Sequence, residues 1–191
     1  MKTLPFALLA LLCAFFLAPV SAQAQEKTMD VKGSIPQDSN MKEGTVYVLK
    51  NGPAVKKAHD ELARIWNVAR RHVADIEKFG DEAPKNPKQQ KKWEKERGDI
   101  IKKFNKQMES YEEALKKYND VFAENKGEEV SVDDKGKFAL TVPATSSFYY
   151  SAKKEDRGYM WISKAANTVV FSNSDRALDA TIKPKLPEKK K

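Results

Sequence analysis

A run of basic residues between positions 85 and 106 is the part of the sequence best suited to bind another molecule. It contains nine Lys or Arg residues and three acidic ones, so its local charge is +6. Such a charge concentrates anionic partners, and the attraction weakens as salt is added. The alternative is a solvated helix surface that keeps the protein soluble. The residues that we expect to contact an anionic partner are Lys88, Lys91, Lys92, Lys95, Arg97, Lys102 and Lys103.

Four aromatic residues form a second candidate surface, because exposed rings can stack on sugar rings. Tyr149, Tyr150, Tyr159 and Trp161 lie in two neighbouring predicted strands. Side chains alternate between the two faces of a strand, so one parity would fill the core and the other would be exposed. The alternative is that these large side chains belong to the core.

Residues that usually carry catalysis or bind metals are sparse. His59 and His72 lie thirteen residues apart on one predicted helix, about 220° apart around its axis, so they cannot share a metal ion. Asp133 and Asp134, beside Gly136, fit a tight turn, because no oxygen ligands follow at the spacing of a calcium loop. The sequence has no nucleophile elbow, zinc-protease motif or phosphate loop. We therefore predict no catalytic residue, no metal, no cofactor and no enzymatic activity.

The first 24 residues have the pattern of an export signal. Lys2 supplies a positive start, residues 8–16 are apolar, and small residues stand at Ala22 and Ala24. Even when it is counted from Leu4 to Val20, the apolar run has 17 residues and contains Pro5 and Pro19, whereas a membrane-spanning helix needs about 20 residues. Cleavage after Ala24 would remove Cys13, the one cysteine in the sequence. We expect an exported protein, periplasmic or secreted, without a transmembrane span after cleavage.

Three compositional zones follow this signal. Residues 25–52 and 128–175 show the alternation and turn residues of short strands, seven in all, whereas residues 53–127 have a helical period. Three Trp, six Tyr and nine Phe can fill a core, although 32% of the residues are charged. The last zone, residues 176–191, is rich in Lys and Pro, and we predict a basic flexible tail there.

Two helices are predicted within residues 53–127, joined as an antiparallel hairpin. The first carries an apolar stripe that ends before Gly80, and Asn86 is suited to cap the second. The second is longer, so we expect it to bend or break near Gly98, and we expect Gly127 to end it. Its apolar seam repeats every three or four residues and consists of Ile101, Phe104, Met108, Tyr111, Leu115, Tyr118 and Phe122.

Motifs in the strand zones carry a family resemblance. Residues 132–143 read VDDKGKFALTVP, preceded upstream by VKGSI at 31–35 and GTVYV at 44–48. This set resembles the carboxypeptidase regulatory-like domains, which are seven-stranded sandwiches similar to transthyretin. The resemblance implies a seven-stranded transthyretin-like β-sandwich. The chain departs from the family because the helical hairpin of residues 53–127 lies where the family has a short link. We therefore expect an α+β fold in which the hairpin is inserted between strands 2 and 3 of the sandwich. It implies no catalytic residues, because the family motif contains none.

These observations favour a non-catalytic exported module for binding or structure. In this hypothesis the basic tip of the helical arm contacts an anionic envelope polymer or a protein partner, and no nucleic acid is expected. The alternative is a holdase chaperone, because a basic helical arm on a β-body looks like the periplasmic chaperones of the Skp type.

Overall fold

The computed structural model describes residues 27–38, 44–80, 82–154 and 157–187. The predicted signal, residues 1–24, lies outside this part of the chain. The elements in chain order are β1 (Thr28–Ser34), β2 (Gly44–Leu49), α1 (Gly52–Phe79), α2 (Pro87–Asn125), β3 (Lys126–Val130), β4 (Lys137–Pro143), β5 (Ser147–Lys154), β6 (Arg157–Lys164), β7 (Thr168–Val170) and β8 (Ala177–Leu178). The predicted α+β class is confirmed, whereas the predicted count of seven strands is wrong, since the described residues contain eight.

The strands form two sheets. One has the order β4-β1-β7 and the other has the order β3-β2-β5-β6-β8. In the larger sheet, Val46 of β2, Tyr150 of β5 and Trp161 of β6 lie side by side in one row. The adjacent row contains Tyr47 of β2 and Tyr149 of β5. Because alternate residues point to opposite faces, these two rows occupy the two faces of the larger sheet.

The inner face of the larger sheet packs on the smaller sheet. Phe138 of β4 contacts Phe148 of β5, with ring centroids 5.6 Å apart, and both side chains are buried. The ring centroids of Tyr150 and Trp161 are 4.9 Å apart. The indole N–H of Trp161 donates to the Ser172 carbonyl at 2.8 Å. Residues of both sheets therefore share one apolar core.

The outer face of the larger sheet packs on the helices. A second core joins Leu62 of α1 and Tyr111 of α2 to Leu49, Tyr149 and Met160 of the sheet. The predicted apolar stripe of α1 is confirmed, because all its members are buried: Ala58, Leu62, Ile65, Ala69, Val73 and Ile76. Within the described residues, neither helix has a stretch apolar enough to cross a membrane.

The caps of the helices explain where they begin and end. The Asn51 side chain accepts from the backbone N–H of Ala54, and the Asn86 side chain accepts from those of Lys88 and Gln89. These bonds satisfy N–H groups that have no partner within the helix. Gly80 follows α1 with φ of 68°, in the left-handed region that suits glycine. Asn86 and Gly80 have the positions that the sequence predicts.

The predicted break at Gly98 and the predicted helix end at Gly127 do not occur. The helix α2 runs without interruption through Gly98 for 39 residues, so the break does not occur. Gly127 does not end α2, because the helix stops at Asn125 and Gly127 lies in β3. A Cβ on Gly127 would lie 2.9 Å from the carbonyl oxygen of Val48 in the neighbouring strand. Strand packing therefore requires this glycine.

The tight turn predicted at Asp133 is confirmed between β3 and β4. The Asp133 carboxylate accepts from the backbone N–H groups of Lys135 at 2.9 Å and Lys137 at 2.7 Å, and Gly136 has φ of 70°. The strands on either side belong to different sheets, since β3 pairs with β2 and β4 pairs with β1. The turn therefore carries the chain from one sheet to the other.

Residues 177–187 form a strap that returns across the helices, so the expectation of a flexible tail does not hold for them. Ala180 and Pro184 are buried, and β8 pairs with β6. The indole N–H of Trp66 on α1 donates to the carbonyl of Ile182 at 2.8 Å. Tyr111 on α2 donates its hydroxyl to the carbonyl of Ala180 at 2.8 Å. Residues 188–191 lie outside the described chain.

Candidate binding surface

Seven lysines lie along the outer face of α2. At 100° per residue they all project within about 60° of one line along the helix. The buried residues Phe104, Met108 and Tyr111 lie on the opposite side. All seven side chains belong to exposed residues. We call this set the lysine stripe: Lys88, Lys91, Lys92, Lys95, Lys102, Lys103 and Lys106.

The lysine stripe has few acidic partners. Among the described residues, its one ion pair joins Lys92 to Glu96, with Nζ and Oε1 3.8 Å apart and both side chains exposed. Elsewhere on the helices, Lys117 is 3.0 Å from Glu61 and Lys56 is 2.6 Å from Asp60. The positive charge of the stripe is therefore left available to an external anion.

The structure separates Arg97 from the other predicted contact residues. Arg97 lies about 180° around α2 from Lys88 and is half-buried. Its guanidinium carbon is 5.6 Å from the centre of the Trp93 ring, and its Nε atom is buried without a hydrogen-bond partner among the described residues. Arg97 therefore lies apart from the lysine stripe, and its contact with an anionic partner stays a prediction. Lys106 lies in the stripe, four residues after Lys102, and this spacing is the signal for it.

Trp93 fixes the far end of α2 against α1. Its indole N–H donates to the carbonyl of Phe79, the last residue of α1, at 3.1 Å. The two rings meet edge to face with centroids 6.3 Å apart. Because α2 has eleven more residues than α1, this contact holds a helix end that would otherwise lack a partner. The outer lysines are thus carried by an anchored element.

The charge on the outer face of α2 changes sign after Lys106. The same line of the helix then carries four acidic residues, with the ion-paired Lys117 among them. These residues are all exposed: Glu109, Glu113, Asp120 and Glu124. The positive surface is therefore bounded at its inner end.

The four aromatic candidates do not form a surface. Tyr149, Tyr150 and Trp161 are 5%, 0% and 2% exposed. Tyr150 and Trp161 fill the core between the sheets, and Tyr149 is covered by the helices. Tyr159 is half-buried, with the Arg176 guanidinium 5.1 Å above its ring. The expectation of an exposed aromatic face is wrong because both faces of the larger sheet are covered.

A buried polar cluster lies where the helices meet the strap, and no local sequence pattern indicates it. The Nε2 atom of His59 accepts from the backbone N–H of Ala180 at 3.3 Å. Burial lowers the pKa of His59, against the raising effect of Asp179 and Asp60, and Lys56 lowers it further. Burial is also the main cause that raises the pKa of Tyr111, Tyr118 and Tyr149 in the same core. In the core between the two sheets, burial raises the pKa of Tyr150 to about 12. Because burial disfavours the charged forms of His59 and Tyr111, and both groups are hydrogen-bonded to the strap, we assign these two residues a structural role.

The buried His59 predicts a pH dependence of stability. Its pKa is lowered in the folded protein from an ordinary value of 6.5, so below that pH the unfolded chain binds a proton that the folded protein does not. The contribution of neutral His59 to the free energy of unfolding should then be fully present above about pH 6.5. It should decrease as the pH falls towards the lower pKa of His59 in the folded protein. Urea unfolding measured at intervals between about pH 7.5 and 5.5 tests this.

Two histidine variants provide the control for this pH dependence. His59→Gln retains an acceptor for the Ala180 N–H and should remove most of the loss in this window. His72→Gln, on a half-buried residue of the same helix, should leave the loss unchanged. An equal dependence in wild type and His59→Gln contradicts the assignment.

A cleft of about 370 Å³ lies at the end of the larger sheet, lined by Gln37, Thr45, Glu129, Ser131 and Asp134 among others. One of its walls is the turn at Asp133, whose carboxylate already accepts backbone hydrogen bonds. Among the described residues, no group of three or more His, Cys, Asp or Glu side chains is placed to hold a metal ion. The cleft therefore offers polar walls without a recognisable chemical centre.

Comparison of the chain with protein-family models, with curated proteins and with solved structures finds no match. The likeness to the carboxypeptidase regulatory-like domains thus remains a prediction from the strand motifs. What the protein does has to be inferred from its own surface, on which the lysine stripe is the strongest candidate.

Proposed function

We propose that this protein is an exported, non-catalytic binding module whose helical arm presents the lysine stripe to an anionic component of the cell envelope. The observation that carries the proposal is the stripe itself: seven exposed lysines on one face, with a single long ion pair among the described residues. Unpaired surface cations attract anions over about a Debye length. The signal pattern of residues 1–24 supports export.

We also propose that the two sheets are a transthyretin-like sandwich that carries the arm as an insertion. Support comes from the core that both sheets share. The strand β2 leads into α1, and α2 leads into β3. The two ends of the arm lie side by side, because the Lys50 N–H donates to the Asn125 carbonyl at 2.9 Å. A sandwich of this kind would serve as the rigid base of the arm.

The proposal predicts that charge reversal on the stripe abolishes retention by the envelope. The variant replaces Lys88, Lys91, Lys92 and Lys95 with Glu, which turns four attractive contacts into repulsive ones. Retention on cell-wall and lipopolysaccharide fractions should fall at least about tenfold, since one lysine near an anionic surface contributes about 1 kcal/mol. Pull-down followed by quantification of the bound protein measures the effect.

A matched control separates the stripe from net charge. It replaces four exposed lysines on the strands and α1 with Glu: Lys32, Lys57, Lys137 and Lys153. This control should keep most of the retention of the wild type. Equal retention of wild type and stripe variant would remove the stripe from the function, and failure of every fraction to retain the wild type would remove envelope binding.

The holdase alternative has less support from the arm. A holdase grips unfolded clients through apolar contact, yet the exposed large hydrophobic residues in the described chain are Val170 and Leu178, both outside the arm. Mass in solution and an aggregation assay with an unfolded outer-membrane protein distinguish the two functions. A stable oligomer that suppresses aggregation would favour the holdase.

A further inference from the structure

We propose that the partner is a linear polyanion that lies lengthwise along α2, and not a compact anionic group held at the end of the arm. This inference rests on the proposed function and specifies its ligand. The chemical class is a flexible chain with a carboxylate, phosphate or sulfate group on each repeating unit.

The shape of the lysine stripe carries the inference. From Lys88 to Lys106 the stripe spans 18 residues of one unbroken helix, which is about 27 Å at 1.5 Å per residue. Four of its five turns present at least one exposed lysine on the outer face, and Asp99 occupies the remaining turn. A compact anion at the tip would leave Lys102, Lys103 and Lys106 without a role. A chain along the axis would use all seven.

The ends of the stripe define the length of the bound chain. Outward, α2 begins at Pro87. Inward, Glu109 and Glu113 follow Lys106 on the same face and repel an anionic chain that extends further. The bound segment should therefore measure about 27 Å. At one charge per helical turn of 5.4 Å, about five or six anionic units fill it.

The chemistry of the stripe favours an electrostatic contact that does not depend on the fine structure of the polymer. Its members are all Lys, whose ammonium is a compact charge, and the one nearby Arg, Arg97, faces the hairpin. Lysine lacks the planar fork with which arginine binds single phosphates or carboxylates in a bidentate geometry. Binding should therefore release counterions and weaken steeply with salt.

Two other occupants fit the stripe less well. A lipid surface would be contacted most firmly by an arm that also inserts apolar side chains, and the large exposed hydrophobic residues of the described chain lie elsewhere. A second copy could pair its acidic half with the stripe, from Glu109 to Glu124. That face carries no apolar seam, which stable helix pairing needs.

The test measures binding of the full-length protein to inorganic polyphosphate of graded chain length. Affinity should rise with length until the chain spans about 27 Å and should change little beyond that. Orthophosphate should not bind measurably. Raising the salt concentration should weaken binding of chains that span the stripe more than binding of shorter chains.

Three matched triple variants locate the contact. The outer variant replaces Lys88, Lys91 and Lys92 with Gln, and the inner variant replaces Lys102, Lys103 and Lys106 with Gln. Each should weaken long-chain binding at least about tenfold, and each should make affinity level off at a shorter chain. The control variant should bind as the wild type does, and it replaces Lys32, Lys57 and Lys137 with Gln. Circular dichroism checks that the helices remain folded.

The outcomes separate this inference from the proposed function. If the inner variant binds as tightly as wild type while the outer variant fails, the ligand is compact and the lengthwise arrangement is overturned, although the stripe still binds. If both variants bind as wild type does, the stripe is not the site and both proposals fail. If the free protein is a dimer that salt dissociates and polyphosphate does not bind, a second copy occupies the stripe, and the inference is overturned.

Discussion

A chain that ends at Arg176 should unfold at a much lower urea concentration than the full-length protein. The truncation removes the strap and leaves the buried acceptor of His59 and the donors of Trp66 and Tyr111 without their partners. A buried polar group that loses its partner costs about 1–3 kcal/mol, and a hydrogen bond outside the core contributes about 1 kcal/mol. The loss at the buried His59 and Tyr111 and at the half-buried Trp66 should therefore cost about 3–5 kcal/mol in total. The lost burial of Ala180 and Pro184 adds to this.

A shorter truncation is the control for the strap. A chain that ends at Pro187 keeps every contact described above and should have the same free energy of unfolding as the intact protein, within about 0.5 kcal/mol. Tyr111→Phe, which removes a single strap bond, should cost about 1 kcal/mol. If truncation after Arg176 leaves the urea midpoint unchanged, the strap does not stabilise the fold.

The second large effect is expected at Trp161. Its side chain is 2% exposed, packs against Tyr150, and donates its N–H to the Ser172 carbonyl. Trp161→Ala should lower the free energy of unfolding by about 3–5 kcal/mol, because it leaves a large cavity between the sheets. Urea unfolding followed by circular dichroism measures the change.

Tyr159 provides the comparison, because it is the half-buried residue two positions earlier on the same strand. Tyr159→Ala should cost clearly less than Trp161→Ala, since it removes less buried area. Similar small losses at both positions would mean that Trp161 is not part of a packed core. Loss of binding to envelope sugars in Trp161→Ala without loss of stability would restore the aromatic surface that burial argues against.

The helices could be predicted from sequence because their signals are local. The apolar stripe of α1, the cap at Asn86 and the left-handed Gly80 depend on residues a few positions away. The strand alternation is equally local, and the α+β class follows from it. The prediction for Gly127 was wrong, since a glycine after a helix also suits close contact between strands.

The strap and the covered sheet could not be predicted because they depend on contacts between distant parts of the chain. Trp66 donates to Ile182 across 116 positions, and nothing in the Lys- and Pro-rich sequence near Pro184 shows that it packs. The alternation around Tyr149 implied one exposed face, but α2 covers that face, with Phe122 5.1 Å from the Tyr149 ring. Tertiary packing decided both features.

Most residues of the candidate site were predicted from the sequence, but their arrangement around α2 was not. Six of the seven predicted contact residues lie together on α2, because charged residues on a helix favour its solvent side. Arg97 does not, and helical spacing alone separates it from Lys88 by about half a turn. The boundary of the stripe at Glu109 follows from the same spacing, although the continuity of α2 through Gly98 was needed to establish it.

The most direct test of binding by the lysine stripe uses one purified envelope fraction and an increasing salt concentration. It compares three proteins: the wild type, the stripe variant with Glu at positions 88, 91, 92 and 95, and the matched control variant on the strands and α1. Wild type and control should both bind at low salt and be released at similar salt concentrations, whereas the stripe variant should be retained at least about tenfold less at low salt and released at a lower salt concentration. Release of all three proteins at the same salt concentration would show that the outer face of α2 does not recognise the envelope.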